Sequence, residues 1–496
     1  MRRHPAIALA AALAAAVSAL SGTAPAGARA LCEPRDAVAV AASQHRAVTY
    51  TEEPGAGRWR TWIVEPQDIA VAPPPALGGV PAAVELADVK LAVATRGAAT
   101  LEAIRRWGAG AATAPWTALF LDLTKRYSAY PERNPPRISR QIAMLHAAMF
   151  DALVATWNAK YCHLRPPPSK VDPTIAVHGP AADAPSYPSE HAAVAGAAAV
   201  LLASFFPEEP EGSFDALQWE AGMSRVSAGA NYRSDVTAGI VLGRSVAKLV
   251  LDARATDGWN ASWDGSPGLG GTCGWSPVSP VAPVEPMWGK VRPWLMSTGS
   301  QLRPGAPPAC DSPAYLAAAR DVYEASLTLT QRQRDIATSW AGGPGTETPP
   351  GMNARIALET ASAAGLSTMR HARVMAHVGA ALADAAIAAW DAKFTYGWDR
   401  PIQTIRRLWD PQWTPLLPTP PFPGYVSGHA TFSGATARVL GFFFPSQSGV
   451  FRALATEAAL SRFYGGIHAR YDNDAGLTVG EAVAELAVAR AGQDRA

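Results

Sequence analysis

The chain has 496 residues, 48% of them hydrophobic and 17% charged, with a formal net charge of +2. That balance suits a packed globule and excludes a disordered polar chain. Residues 1–30 hold three arginines and no acid, so without them the charge becomes −1, and the absence of a basic excess argues against a nucleic-acid partner.

In chain order, "MRRHPAIALAAALAAAVSALSGTAPAGARA" has two arginines, a short apolar run and an Ala28-Arg29-Ala30 ending. It reads as a signal peptide cut after Ala30, which predicts export from the cytoplasm. Residues 31–110 form a mixed extension with the Pro-rich "VAPPPALGGVP", and "RWRTWIVEP" predicts a short strand. From about Trp116 the apolar spacing turns helical, and residues 111–257 are assigned to a first helical bundle. Residues 258–312, rich in Gly, Pro, Ser and Trp, read as a connecting loop, and residues 313–496 as a second helical bundle. No later stretch reads as apolar for long enough to span a bilayer, so no transmembrane segment is expected. The four cysteines suggest Cys273–Cys310, both in the loop-rich segment, with Cys32–Cys162 left by elimination. No CxxC pair occurs, which argues against zinc.

The helical parts repeat. "TWNAKY" at 156–161 answers "AWDAKF" at 389–394. "SYPSEHAAVAGAAAVLLASFFP" at 186–207 answers "GYVSGHATFSGATARVLGFFFP" at 424–445, and "SRVSAGANYRSD" at 224–235 answers "SRFYGGIHARYD" at 461–472. The offsets are 233, 238 and 237 residues. Matches at Trp, Lys, Ser, His, Arg and Asp are not a general likeness of alanine-rich helices. The expected fold is all-α: two related helical bundles packed together, with a mixed N-terminal extension.

The second copy concentrates polar chemistry. Lys393 and Arg400 stand seven apart, Ser427-Gly428-His429 opens a helix, and Arg462, His468 and Asp472 follow. Three cations, a hydroxyl, a helix N-terminus and two histidines suit a tetrahedral oxyanion. Gly428 lets the backbone approach closely. Asp472, four residues after His468, shares its helix face and either orients it or makes a structural ion pair. Ser427 can also cap its helix. His146, His371 and His377 read as core or surface residues.

Lys393-x6-Arg400-Pro401, then Ser427-Gly428-His429, then Ser461-Arg462-x5-His468-x3-Asp472 resembles the vanadium-dependent haloperoxidase and type 2 phosphatidic acid phosphatase (PAP2) superfamily. Val426 departs from the proline usual there. The likeness covers roughly residues 110–490 and is greatest to secreted bacterial haloperoxidase-like members; small phosphatases of the superfamily have one bundle. The resemblance implies a vanadate cofactor, with His468 as the vanadium ligand. Lys393, Arg400, Ser427, Gly428 and Arg462 would hold the oxygens, and His429 would be the acid–base residue. Hydrogen peroxide and halide would be the substrates. It also places Trp390 and Phe422 beside the vanadate as a halide pocket, the pair found in chloroperoxidases, where bromoperoxidases more often have histidine at the second position. The family often carries an aspartate at the position of Gly342, where it helps hold an active-site arginine.

Three functions stay open at this point. One is a vanadium-dependent haloperoxidase. Another is a secreted acid phosphatase, with phosphate in the same site, His468 as nucleophile and a phosphate ester as substrate. A third is a non-catalytic oxyanion-binding protein. The first copy keeps Lys160, Arg165-Pro166, Ser189, His191, Arg225 and Asp235, but Glu190 replaces the glycine and Asn231 the ligand histidine. It is therefore expected to be structural, with an ion-pair cluster around Glu190.

Overall fold

The computed structural model describes residues 50–179, 183–265, 270–278 and 280–496. The assigned signal peptide and Cys32 lie outside them, and with Cys32 the expected Cys32–Cys162 pair. Among the described residues the regular structure is helical, with no strand and one isolated bridge between Gly274 and Trp398. The strand expected in "RWRTWIVEP" is absent, and the mixed extension carries two helices, α1 (Val80–Ala94) and α2 (Ala98–Gly108). Helix α3 (Ala114–Arg126) leads into the first bundle, α4 (Pro135–His163), α5 (Glu190–Phe205), α6 (Ser213–Ser227) and α7 (Arg233–Ala255). Beyond residues 258–312 come α8 (Pro313–Leu327), α9 (Gln331–Ser339) and α10 (Thr348–Ala363). The second bundle follows as α11 (Thr368–Tyr396), α12 (Pro401–Leu408), α13 (Gly428–Phe443), α14 (Ser448–Tyr464) and α15 (Arg470–Ala491).

The duplication is visible helix by helix. Helices α4 and α11 are both 29 residues long, begin at an Asn134 or Ser367 side-chain cap, and end in a left-handed residue, Leu164 or Gly397. Each packs on the 16-residue helix behind it, α5 or α13, which packs in turn on α7 or α15. Small residues permit that last contact: a Cβ on Gly243 would lie 1.9 Å from the Ala193 oxygen, and one on Gly480 2.2 Å from the Thr431 oxygen. The peptide bonds before Pro188 and Val426, equivalent positions, are both cis. Helices α4 and α11 pack on each other and join the two bundles.

By length and composition alone, Pro135–Val171 and Thr368–Tyr396 could cross a membrane, which qualifies the expectation from the sequence; their apolar windows are 94% buried inside the protein, as core helices are.

A further repeat lies in the non-helical segments. The N–H groups of Trp62, Ile63 and Val64 donate to Asp151 of α4 over 2.8–2.9 Å. Those of Trp294, Leu295 and Met296 donate to Asp384 of α11 over 2.7–2.8 Å. Each segment also reaches across to the other bundle: Arg490 of α15 stacks on Trp62 at 4.1 Å, and Arg254 of α7 on Trp294 at 3.6 Å. Trp62 and Trp294 meet edge to face, 6.1 Å between ring centroids, as the two halves of a pseudo-two-fold relation do. Residues 258–312 therefore contain the second copy's strap as well as a connection.

Candidate functional site

Four elements of the second bundle bring the candidate residues together. The end of α11 supplies Trp390 and Lys393, and the start of α12 supplies Arg400. The turn into α13 supplies Phe422, Ser427, Gly428 and His429, and the junction of α14 with α15 supplies Arg462, His468 and Asp472. Lys393, Arg400 and Ser427 are fully buried, Arg462, His468 and Asp472 nearly so, and His429 and Phe422 half-buried.

His468 is held at both nitrogens. Its Nδ1 lies 3.0 Å from Asp472 Oδ2 and its Nε2 2.8 Å from Arg400 Nη1. A guanidinium only donates, so Nε2 must carry the lone pair and Nδ1 the proton, directed at Asp472. Asp472 therefore orients His468, and it also accepts the Ala469 N–H at the start of α15. Burial, opposed by Lys393 and Arg400, raises the Asp472 carboxyl to about 7.

The cations are crowded. Lys393 donates to the carbonyls of Pro423 and Gly424 over 2.8 and 3.0 Å. Arg400 donates from Nε to Phe422 O over 3.0 Å and from Nη1 to Ile467 O over 2.9 Å. Burial pushes both arginines of the site, Arg400 and Arg462, down to about 9. Burial and then Arg400 hold the Lys393 amine well below its usual range. Burial also holds His429 and His468 well below theirs, with the neighbouring cations adding to it. A bound anion would favour the charged forms of Lys393, Arg400 and Arg462 and so oppose the fall of all three.

Two donors in this group are buried without a protein partner: Arg400 Nη2 and Ser427 Oγ. Ser427 stands at the N-cap of α13, yet its side chain makes no capping bond, whereas Ser189, its counterpart, accepts from Ala192 N over 3.5 Å. Gly428 is the first residue of α13, where N–H groups have no intrahelical acceptor. Unpaired buried donors beside cations fit a tetrahedral oxyanion such as vanadate or phosphate. Asp472 Oδ1 is also buried and unpartnered.

Trp390 and Phe422 form one wall, ring centroids 5.0 Å apart. Phe422 lies under both Lys393 Nζ and Arg400 Cζ at 5.1 Å, and the Trp390 ring would be 3.5 Å from a Cβ on Gly428. Where the family often has an aspartate, Gly342 sits at φ +64°, and Arg462 is held instead by the carbonyls of Ala337 at 3.0 Å and Ala341 at 3.4 Å. His429 Nε2 lies 3.0 Å from Trp340 O and donates to it. None of these backbone acceptors carried a signal in the sequence, because a carbonyl has no letter of its own.

The first copy is charge-compensated. Glu190 lies 2.9 Å from Lys160 and 3.0 Å from His191. The cluster expected around Glu190 is smaller than the sequence suggests. Arg165 turns to Asp235 and Glu85, at 2.7 and 2.8 Å, and Arg225 donates to Ile104 O and Ser224 Oγ. Asn231 donates to Ser186 O over 2.8 Å. The other expected pair, Cys273–Cys310, is a disulfide with a Cα–Cα distance of 5.7 Å.

Residues 142–259 match the family model of the PAP2 superfamily, and residues 373–452 that of the VCPO second helical-bundle domain. A comparison with curated proteins yields no match. Among solved structures, a bacterial vanadium-dependent iodoperoxidase is similar at 23% identity and a TM-score of 0.61, over 76% of this chain and 95% of that one. A holo-type bacterial vanadium-dependent chloroperoxidase is similar at 17% and 0.55, over 75% and 97%, and its apo-type at 17% and 0.55, over 73% and 95%. A family-model match thus falls in each bundle, and the chain has the fold of the bacterial vanadium haloperoxidases.

Proposed function

We propose that this protein is a vanadium-dependent haloperoxidase that uses hydrogen peroxide to oxidise halide to hypohalous acid, and that it is exported by way of residues 1–30. The observation that carries the proposal is the pair of buried, unpartnered donors, Arg400 Nη2 and Ser427 Oγ, set beside the cations of Lys393 and Arg462 and the Nε2 lone pair of His468. In this reading vanadium would take the Nε2 lone pair of His468 that Arg400 Nη1 now occupies, and Lys393, Arg400, Ser427, Arg462 and the Gly428 N–H would hold the oxygens. Bound vanadate would act as a Lewis acid that activates peroxide without changing its own oxidation state. The protein's own part is to offset the anion's charge, to keep His468 in one tautomer through Asp472, and to hold a proton at His429. The Trp390–Phe422 wall excludes water where halide would approach, which strengthens every electrostatic contact there.

The PAP2 superfamily match falls on the first bundle, residues 142–259, and through that kinship the second bundle's site has a second reading, a phosphatase. There His468 Nε2 would attack phosphorus and His429 would protonate the leaving oxygen. The discriminating experiment is reconstitution with vanadate, followed by assays of iodide, bromide and chloride oxidation beside phosphate-ester hydrolysis. Halide oxidation that depends on vanadate is expected. Ester hydrolysis by the vanadate-free protein, together with no halide oxidation by the fully loaded protein, would transfer the assignment to the phosphatase.

A further inference from the structure

Arg400 is gripped from behind as well as from within the site. The preceding residue, Asp399, is 5% exposed. Its N–H donates to Cys273 O over 3.1 Å, and its Oδ2 accepts from the hydroxyls of Tyr315 and Thr404, each at 2.5 Å. Two residues on from Cys273, the Trp275 N–H donates to Gly397 O over 2.8 Å, and between them Gly274 bridges to Trp398. Residues 397–399 are therefore held by two segments distant in sequence, one carrying Cys273 and the other Tyr315. The disulfide joins those segments, since Cys310 lies five residues before Tyr315. Arg407 and Asp311 pair across the same joint at 2.7 Å. A cleft of about 310 Å³, lined by both cysteines and Phe394 to Trp398, leads to the S–S bond, and Cys310 is exposed.

We infer that, given the oxyanion reading of Arg400 and its neighbours, the Cys273–Cys310 disulfide and Tyr315 are positioning elements for Arg400, acting through Asp399, and that thiol reduction of this bond weakens the site. Arg400 has one guanidinium nitrogen committed to His468 and another unpaired, so its value to an anion depends on where its backbone stands. With both segments tied together, that placement is fixed before the anion arrives. Once they are untied, the ordering cost falls on binding. Cys310 is exposed and Cys273 buried, so a thiolate approaches the bond from the Cys310 side. Its attack forms a mixed disulfide and releases Cys273 as a thiolate, and a second thiol then displaces Cys310. Two reductant thiols leave as one disulfide and the protein gains two thiols.

The test is calorimetric titration of the full chain with inorganic phosphate, and with orthovanadate in arms free of thiol, since thiols reduce vanadate. Oxidised wild type, the double variant Cys273→Ser/Cys310→Ser and Tyr315→Phe are compared well below their unfolding midpoints. About tenfold weaker binding is expected in the double variant, and a loss of about threefold in Tyr315→Phe, with unchanged stoichiometry. Dithiothreitol should weaken phosphate binding to wild type and leave the double variant as it was. Binding within twofold of wild type in both variants would overturn the positioning role, even if their unfolding midpoints fall. If the double variant does not fold, Tyr315→Phe and the reduced wild type decide the matter. A wild type that binds neither anion would instead defeat the oxyanion reading itself.

Discussion

The Lys160 ammonium and the Glu190 carboxylate stand 2.9 Å apart in the first bundle, at the place that Lys393 and Gly428 hold in the second. The first copy thus carries its own anion, and the second is left with cations facing unpaired donors. His468→Ala should accordingly abolish both vanadate binding and halide oxidation. His191→Ala should leave both intact and cost stability, about 1 kcal/mol, by removing a partner of half-buried Glu190. Calorimetry with vanadate and thermal unfolding separate the two, and an inactive His191→Ala of normal stability would place the chemistry in the wrong bundle.

Three core histidines predict an acid-sensitive fold. Burial lowers His146 to about 3 and His371 and His377 to about 4, from an ordinary 6.5. The unfolded chain takes up protons in that window that the folded chain refuses. Their stabilising contribution is complete above pH 6.5 and is lost as pH falls toward 4, roughly 2–3 kcal/mol for each histidine. Asp151 and Asp384, raised by burial to about 7 and about 6, act in the opposite sense. The informative quantity is therefore the difference between wild type and His377→Met, which installs the residue found at the equivalent Met144. Chemical denaturation from pH 7 to pH 4 should give a visibly smaller acid loss for the variant. Parallel curves would mean that His377 does not titrate as described.

Gly342 leaves room for His429. A Cβ there would lie 2.9 Å from the Pro349 ring and 3.2 Å from His429 Nε2, at a φ of +64° that disfavours side chains. Gly342→Ala should displace His429 from the Trp340 carbonyl and lower turnover about a hundredfold, the lower end for a lost acid–base group. Vanadate affinity should change little, because Arg462 rests on Ala337 and Ala341. Equal losses in turnover and affinity would show that the loop supports the whole site rather than His429.

The Trp390–Phe422 wall can be probed at Phe422. A histidine there would bring a polar ring, and with it water, under Lys393 and Arg400. Phe422→His should reduce chloride oxidation more than bromide oxidation, measured on the vanadate-loaded enzyme at acid pH. A uniform loss for both halides would leave Phe422 a packing residue.

Much of this was legible in the sequence for one reason: polar residues stand out in alanine-rich helices. Lys393, Arg400, His429, Arg462 and His468 could be aligned against Lys160, Arg165, His191, Arg225 and Asn231 before any fold was known. Helices α1 and α2 were hidden by Pro-rich neighbours, although "VELADVKLAVA" has helical spacing. The straps were missed because they have no regular periodicity and hold their places through backbone N–H groups. A signal was present: Gly57, Arg60 and Trp62 recur as Gly289, Arg292 and Trp294, each 232 residues later. The carbonyls of Trp340 and Ile467 had none, since any residue supplies one.

The straps also set the order in which the molecule can be completed. The Arg60 N–H donates to Asp494 O over 2.9 Å, and Arg490 donates to Thr61 O. The strap at residues 60–64 thus acquires its lid only when residues 490–494 dock on it. Contacts so far apart in sequence are slow to close. The first bundle is therefore not closed by its own residues alone: Trp62 stays uncovered by Arg490 until α15 docks, and a chain in which α15 has come loose would present that tryptophan to chaperones.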